Sequence, residues 1–75
     1  MKITVETGSW AAKYVSESIV SLDMPEQSTV ADVISAVGIP PDEAGIASVG
    51  GRAVPREHRL SEGDALKVFP VIIGG

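Results

Sequence analysis

The sequence contains no cysteine, and this absence excludes disulfides, thiolate metal sites and a cysteine nucleophile. Aromatic residues are also scarce, since Trp10, Tyr14 and Phe69 are the only three. We therefore expect a core filled chiefly by Val, Ile, Leu and Ala.

Basic residues are outnumbered by acidic ones, which gives a formal net charge of −4. This charge argues against unaided binding to nucleic acid, because contact with phosphates needs clustered Lys and Arg. The nearest basic cluster is interrupted by Glu57, and we interpret it as a solvated turn. Its members are Arg52, Arg56, His58 and Arg59.

No long apolar run follows the first residues, so we expect neither a secretory signal nor a membrane span, and we expect a cytoplasmic protein. At 75 residues the chain supports a single domain, residues 1–75, which buries only about 60% of its unfolded surface. Little volume is left for an enclosed catalytic pocket.

Catalytic and metal-binding patterns are missing from the sequence. No Ser/His/Asp set, pocket of paired carboxylates or phosphate-binding loop can be recognised, and the single histidine, His58, has no ligand partner at metal-binding spacing. We therefore expect that the chain is not an enzyme and that it binds neither a metal nor a cofactor itself.

Alternation of apolar and polar residues, with a period of two, predicts the strands. Gly50 and Gly51 can supply the positive φ angles of a tight hairpin turn between two of them. The stretch 7–17 has no clean period and is predicted to be a long loop, while 41–45 is predicted to form a turn or one short helical turn. The predicted strands are 1–6, 18–24, 46–49, 52–54 and 65–69.

One helix is predicted after the second strand, where apolar residues recur at i, i+3, i+4 and i+7. Thr29 is its expected N-cap, and Asp32 stands three residues on, in a position typical of a capping box. Gly38 and the prolines that follow end the helix. The apolar residues on its one face are Val30, Val33, Ile34 and Val37. One amphipathic helix covering one sheet is a two-layer α+β arrangement.

Four segments from Thr29 onward, in this order and spacing, resemble the ThiS/MoaD family of sulfur carriers, prokaryotic relatives of ubiquitin. They are Thr-Val-Ala-Asp-Val-Ile at 29–34, Val-Gly-Gly-Arg-Ala-Val at 49–54, Leu-Ser-Glu-Gly-Asp-Ala-Leu at 60–66 and Val-Phe-Pro-Val-Ile-Ile-Gly-Gly at 68–75. The resemblance implies a ubiquitin-like β-grasp fold, with a mixed sheet of four to five strands packed on one main helix.

The resemblance also implies a function. An E1-like enzyme that uses ATP and magnesium would adenylate the carboxylate of Gly75, a sulfur donor system would convert the acyl-adenylate to a thiocarboxylate, and a synthase would accept the sulfur for cofactor synthesis. The flexible tail would be 70–75, comprising Pro70, Val71, Ile72, Ile73, Gly74 and Gly75. Extended, it could reach roughly 20 Å. The free chain is expected to be a monomer.

Glycine suits this chemistry, because it obstructs nucleophilic attack least and allows close backbone approach in a narrow channel. Phe69, together with Leu60 and Val71, is predicted to form an apolar patch that binds the activating partner. The alternative places Phe69 and Leu60 in the core. Trp10 is interpreted either as an interface anchor or as a lid over one end of the core.

Several functions remain open at this point. The ending Phe69-Pro70-Val71 favours the molybdopterin pathway, in which the chain would count as the small subunit of a synthase, whereas the single helix and modest length favour the thiamine-thiazole pathway. A ubiquitin-like modifier joined to lysines through Gly75 would use the same activated tail. A plain interaction module, such as the ubiquitin-like domains of larger enzymes, would not use the tail at all.

Overall fold

The computed structural model describes residues 1–72. One α-helix and a short 3-10 turn accompany five strands in a single mixed sheet. In chain order the elements are β1 (Lys2–Glu6), the 3-10 turn (Ser9–Ala11), β2 (Ile19–Asp23), α1 (Val30–Ala36), β3 (Ala44–Val49), β4 (Arg52–Val54) and β5 (Ala65–Pro70). The expected α+β architecture of a β-grasp domain is confirmed.

The strands lie in the order β2-β1-β5-β3-β4. β1 and β5 run parallel, with Val5 opposite Leu66, whereas every other neighbouring pair is antiparallel. β5 therefore occupies the centre of the sheet and joins the β1–β2 hairpin to the β3–β4 hairpin. The chain leaves the sheet at the end of β5 and continues to Val71.

The helix forms where the sequence predicts it. The Thr29 hydroxyl accepts a hydrogen bond from the Asp32 backbone N–H at 3.2 Å, and the Asp32 carboxylate accepts one from the Thr29 N–H at 2.9 Å, which completes the capping box. Gly38 follows the helix with φ +89°, the left-handed conformation that glycine adopts without a Cβ clash.

The core lies between α1 and one face of the sheet. It is built from aliphatic side chains, as the scarcity of aromatic residues predicts. Trp10 is partly exposed and packs against the rim of this cluster, together with Tyr14. The largest fully buried side chains are Ile3, Val5, Val30, Val33, Ile34, Ile39, Leu66 and Val68.

Several strand boundaries differ from the sequence-based expectation: β1 and β2 are slightly shorter than predicted, and two larger differences concern β3 and β5. β3 begins at Ala44, within the segment predicted to be a turn, and β5 extends through Pro70, the first residue of the predicted tail. The two differences have one cause, because Ala44 pairs with Pro70. No helix within residues 1–72 is long and apolar enough to cross a membrane.

Candidate functional site

An exposed apolar surface surrounds the end of β5. Phe69 is 43% exposed, Ile46 on the neighbouring strand β3 is 63% exposed, and Ile72 is 86% exposed. A shallow groove runs between these side chains, and the described residues that line it carry no titratable group. We call this region the Phe69 surface. Its residues are Gly45, Ile46, Phe69, Pro70, Val71 and Ile72.

Strand alternation explains why Phe69 faces outward. Leu66 and Val68 point into the core and are buried, so Lys67 and Phe69 project from the opposite, open face of the sheet. The alternation in the sequence of β5 predicts that Phe69 lies on the face opposite Leu66 and Val68, and its exposed position agrees with the predicted apolar patch. The role of Phe69 in partner binding remains a prediction.

A β-bulge places Ile46 at the same level of the sheet. Ala44 pairs with Pro70 and Ala47 pairs with Val68, so Gly45 and Ile46 together oppose the single residue Phe69. An extra residue of this kind bends the strand and redirects its side chains. Ile46, an exposed side chain of β3, thereby joins Phe69, an exposed side chain of β5.

Leu60 does not belong to this surface. It is only 4% exposed and lies in the core cluster, and its backbone N–H donates to the Ser28 carbonyl at 2.9 Å. The exposed position predicted for Leu60 is therefore wrong, and the alternative that places it in the core agrees with the structure. The segment that carries it folds back against the start of α1, which turns this large apolar side chain inward, where burial is favourable.

Two residues of the basic cluster, Arg56 and Arg59, are hydrogen-bonded to other parts of the fold, so the interpretation as a solvated turn does not hold for Arg56. The Arg56 guanidinium donates to the carbonyl oxygens of Ala44, Pro41 and Gly45, the last two at 3.3 and 3.5 Å. Arg59 donates to the Gln27 side chain at 2.8 Å. Within residues 1–72, no group of three or more His, Asp or Glu side chains is arranged to hold a metal ion.

A charged pair borders the Phe69 surface on the open face. The Lys67 ammonium lies 3.6 Å from the Glu6 carboxylate, and both side chains are about half exposed. Because an exposed pair is screened by water, its contribution to stability is small. Among the described residues, this exposed ion pair lies on the open face near the apolar region, and the Arg56 guanidinium contacts the carbonyl of its lining residue Gly45.

Gly45 and Ile46 of the Phe69 surface were not predicted from the sequence, nor was Arg56, which contacts the Gly45 carbonyl. The alternation in 46–49 places Ile46 and Ser48 on one side of a strand, but the identity of the neighbouring strand cannot be derived from that pattern. No local pattern indicates the Arg56 contacts. The predicted tail residues Ile73, Gly74 and Gly75 lie outside the described residues.

The arrangement supports binding to a protein partner. An apolar groove without titratable side chains offers no acid, base or nucleophile, whereas a contiguous exposed apolar area is typical of an interaction surface. The chain leaves β5 through this surface at Val71 and Ile72, so a partner that contacts the groove also contacts the residues leading toward Gly74 and Gly75.

A family model described as Mut7-C ubiquitin matches residues 11–73. No curated protein matches the chain. Among solved structures, small archaeal modifier protein 1 of Haloferax volcanii is 19% identical with a TM-score of 0.77, the match covering 95% of this chain and 98% of that one.

Two further solved structures have similar folds. A Pyrococcus furiosus protein provisionally named molybdopterin converting factor, subunit 1, is 24% identical over 96% of this chain and 99% of its own, with a TM-score of 0.75. Urm1 from Trypanosoma brucei is 15% identical over 99% and 95%, with a TM-score of 0.71. At these identities the likeness shows the ubiquitin-like β-grasp fold.

Proposed function

The chain belongs to the Mut7-C ubiquitin family, and on that premise we propose that it is a small sulfur carrier whose Gly75 carboxylate is charged and discharged by partner enzymes. The observation that carries the proposal is the continuity of the Phe69 surface with the chain leading to Gly74 and Gly75. One partner could bind the folded body through this surface and receive the chain end at a separate reactive centre.

The length of the chain after Pro70 suits docking of the folded body at one place on the partner and reaction of the chain end at another. Five residues follow Pro70 in the sequence, and fully extended they span at most about 18 Å. This length suits a reactive centre set back from the docking contact. Gly74 and Gly75 add no side chains that would obstruct a narrow entrance.

Charging of the Gly75 carboxylate takes two steps. In the first, an oxygen of the Gly75 carboxylate attacks the α-phosphorus of ATP, forming an acyl-adenylate and releasing pyrophosphate. In the second, hydrosulfide attacks the acyl carbon, and AMP leaves with the bonding electron pair, giving a thiocarboxylate. The partner supplies ATP and magnesium, while this chain supplies the carboxylate and the surface that positions it.

The sulfur is then passed to a synthase that builds a cofactor, either molybdopterin or the thiazole of thiamine. In the molybdopterin case the chain acts as the small subunit of that synthase. The similarity to the Pyrococcus furiosus protein supports testing the molybdopterin acceptor first.

The test is the intact mass of the purified chain after incubation with a matched activating enzyme, ATP, magnesium and sulfide. The expected result is a mass increase equal to the difference between sulfur and oxygen. A variant that lacks Gly74 and Gly75 should remain folded and gain no mass. An unchanged mass of the wild type, with an enzyme that charges its own carrier, contradicts the proposal.

A second function is supported by the similarity to small archaeal modifier protein 1, which matches over nearly its whole length. A modifier would form an isopeptide bond between Gly75 and a lysine amine of another protein. The discriminating measurement is mass spectrometry of cellular proteins for lysines that carry the end of this chain. If the cellular function of the protein persists after deletion of Gly74 and Gly75, the chain is instead a plain interaction module.

A further inference from the structure

Arg56 lies at the point where the two strands of the Phe69 surface meet. One terminal nitrogen of its guanidinium, Nη2, is directed at the carbonyl oxygens of Pro41, Ala44 and Gly45. These carbonyls belong to the turn before β3 and to the first two residues of β3. The Arg56 side chain is partly buried there.

The bulge explains why two of these carbonyls, those of Ala44 and Gly45, need a donor. Regular pairing between β3 and β5 is interrupted between Ala44 and Ala47, and a bulge leaves its extra residue outside the ladder. In addition, Pro70, the partner of Ala44, has no backbone N–H to donate. Partly buried carbonyls without a strand partner must bind another donor, and the guanidinium is a permanently charged one.

The backbone of Arg56 is itself held by the helix. Its carbonyl accepts a hydrogen bond from the Ala31 N–H at 3.0 Å, and the His58 carbonyl accepts one from the Val30 N–H, also at 3.0 Å. The segment that carries Arg56 is therefore fixed to the first turn of α1. The guanidinium extends this fixed point to the start of β3, where Gly45 and Ile46 oppose Phe69.

We propose that Arg56 is a positioning residue for the Phe69 surface: it fixes the β3 bulge against the first turn of α1 and so sets how Ile46, Phe69 and the departing chain are presented to the activating partner. This inference rests on the proposed function. Within residues 1–72 the Arg56 guanidinium donates to the backbone carbonyls of Pro41, Ala44 and Gly45, so the proposed effect on charging acts through the geometry of the bulge.

The first test does not depend on function. In Arg56→Met, amide hydrogen exchange is expected to be about tenfold faster near the bulge, in Ala44–Ala47 and at Phe69 and Val71, and unchanged in the central residues of α1. Arg59→Met is the matched control, because it removes the same charge and a hydrogen bond three residues away, where Arg59 contacts Gln27. It should leave exchange at the bulge unchanged.

The second test measures charging of the same variants under conditions in which each is fully folded. For Arg56→Met, kcat/KM for formation of the thiocarboxylate is expected to fall by about tenfold, chiefly through a higher KM, because a misplaced docking surface weakens productive binding. Arg56→Lys, which keeps a cationic donor on a different side chain, should fall between the wild type and Arg56→Met.

The outcomes separate this inference from the proposed function. Exchange at the bulge equal to that of the wild type, or accelerated equally throughout the domain, overturns the positioning role of Arg56 whether or not the chain is charged. Faster exchange at the bulge with unaltered kcat/KM also overturns it. A wild type that is never charged, with the expected exchange pattern, overturns the sulfur-carrier function but supports the local role of Arg56 in holding the bulge.

Discussion

Gly45 on β3 and Pro70 on β5 approach so closely that a Cβ atom on Gly45 would lie 2.8 Å from the carbonyl carbon of Pro70. It would also lie 3.1 Å from the Phe69 carbonyl oxygen. Gly45 does not have a positive φ angle, so glycine is required here by space rather than by backbone conformation. The absence of a side chain at Gly45 therefore allows the end of β5 to pack closely against the β3 bulge.

Replacing Gly45 by alanine should therefore destabilise the domain. The added methyl group collides with backbone atoms, which cannot rotate away as a flexible side chain can, and we expect the free energy of unfolding to fall by about 1–3 kcal/mol. Urea denaturation of Gly45→Ala against the wild type measures this loss. A change within about 0.5 kcal/mol would contradict the steric explanation.

Gly51→Ala is the matched control for that substitution. Gly51 has a φ of +79°, and a methyl group added there would have no other atom within 4 Å, so alanine at this position tests backbone conformation alone. We expect a loss of about 1 kcal/mol. The two variants should also differ in NMR spectra, since only Gly45→Ala should shift the amide resonances of Phe69 and Val71.

Truncation of Leu60 should lower mainly the stability of the domain, whereas truncation of Phe69 should weaken mainly partner binding. Leu60→Ala removes a buried side chain from the core and is expected to cost about 2–5 kcal/mol of stability. Phe69→Ala removes a partly exposed side chain, so it should cost less than Leu60→Ala while weakening partner binding. Thermal unfolding and binding to the activating enzyme, measured on both variants, check the contrast. A folded Leu60→Ala protein of wild-type stability would place this side chain outside the core.

The capping box of α1 should behave as a coupled pair. Thr29→Ala removes the acceptor for the Asp32 N–H and is expected to cost about 1 kcal/mol. Because the two residues bond each other reciprocally, the double variant Thr29→Ala/Asp32→Ala should cost at least about 0.5 kcal/mol less than the sum of the single changes. Ser35→Ala, at an exposed position of the same helix, is the control, and strict additivity would show that the two bonds act independently.

Two exposed isoleucines provide a matched pair of positions for testing whether the Phe69 surface binds the activating enzyme. Ile46 lies beside Phe69, whereas Ile19 is 55% exposed on β2, the edge strand farthest from β3 and β4. Ile46→Ser should raise KM for charging by about tenfold, and Ile19→Ser should leave it unchanged, because only the first removes apolar area from the Phe69 surface. Equal effects of the two substitutions would locate the docking contact elsewhere.

Features governed by neighbouring residues could be predicted from the sequence. The capping box, the end of α1 at Gly38 and the hairpin turn at Gly50 and Gly51 depend on local geometry, and both turn glycines have the expected positive φ angles. The exposure of Phe69 follows from the alternation within β5. Each of these needs only the sequence of one segment.

Features governed by distant residues could not be predicted. The start of β3 is not visible in the sequence, because the bulge at Gly45 and Ile46 interrupts the period of two on which strand prediction depends. Leu60 lies in a segment without any period, so its direction is decided only by the contacts of that segment with Ser28 and α1. The Arg56 contacts likewise depend on how the segment before Leu60 docks.

The central position of β5 has a consequence for synthesis. The β1–β2 hairpin and the β3–β4 hairpin are joined within the sheet only through β5, so neither half of the core is closed until the residues of that strand have been made. The same strand displays Phe69 and leads to the chain end. An incompletely synthesised or misfolded copy therefore lacks the Phe69 surface, and under the proposed function we expect that an activating enzyme would leave such a copy uncharged.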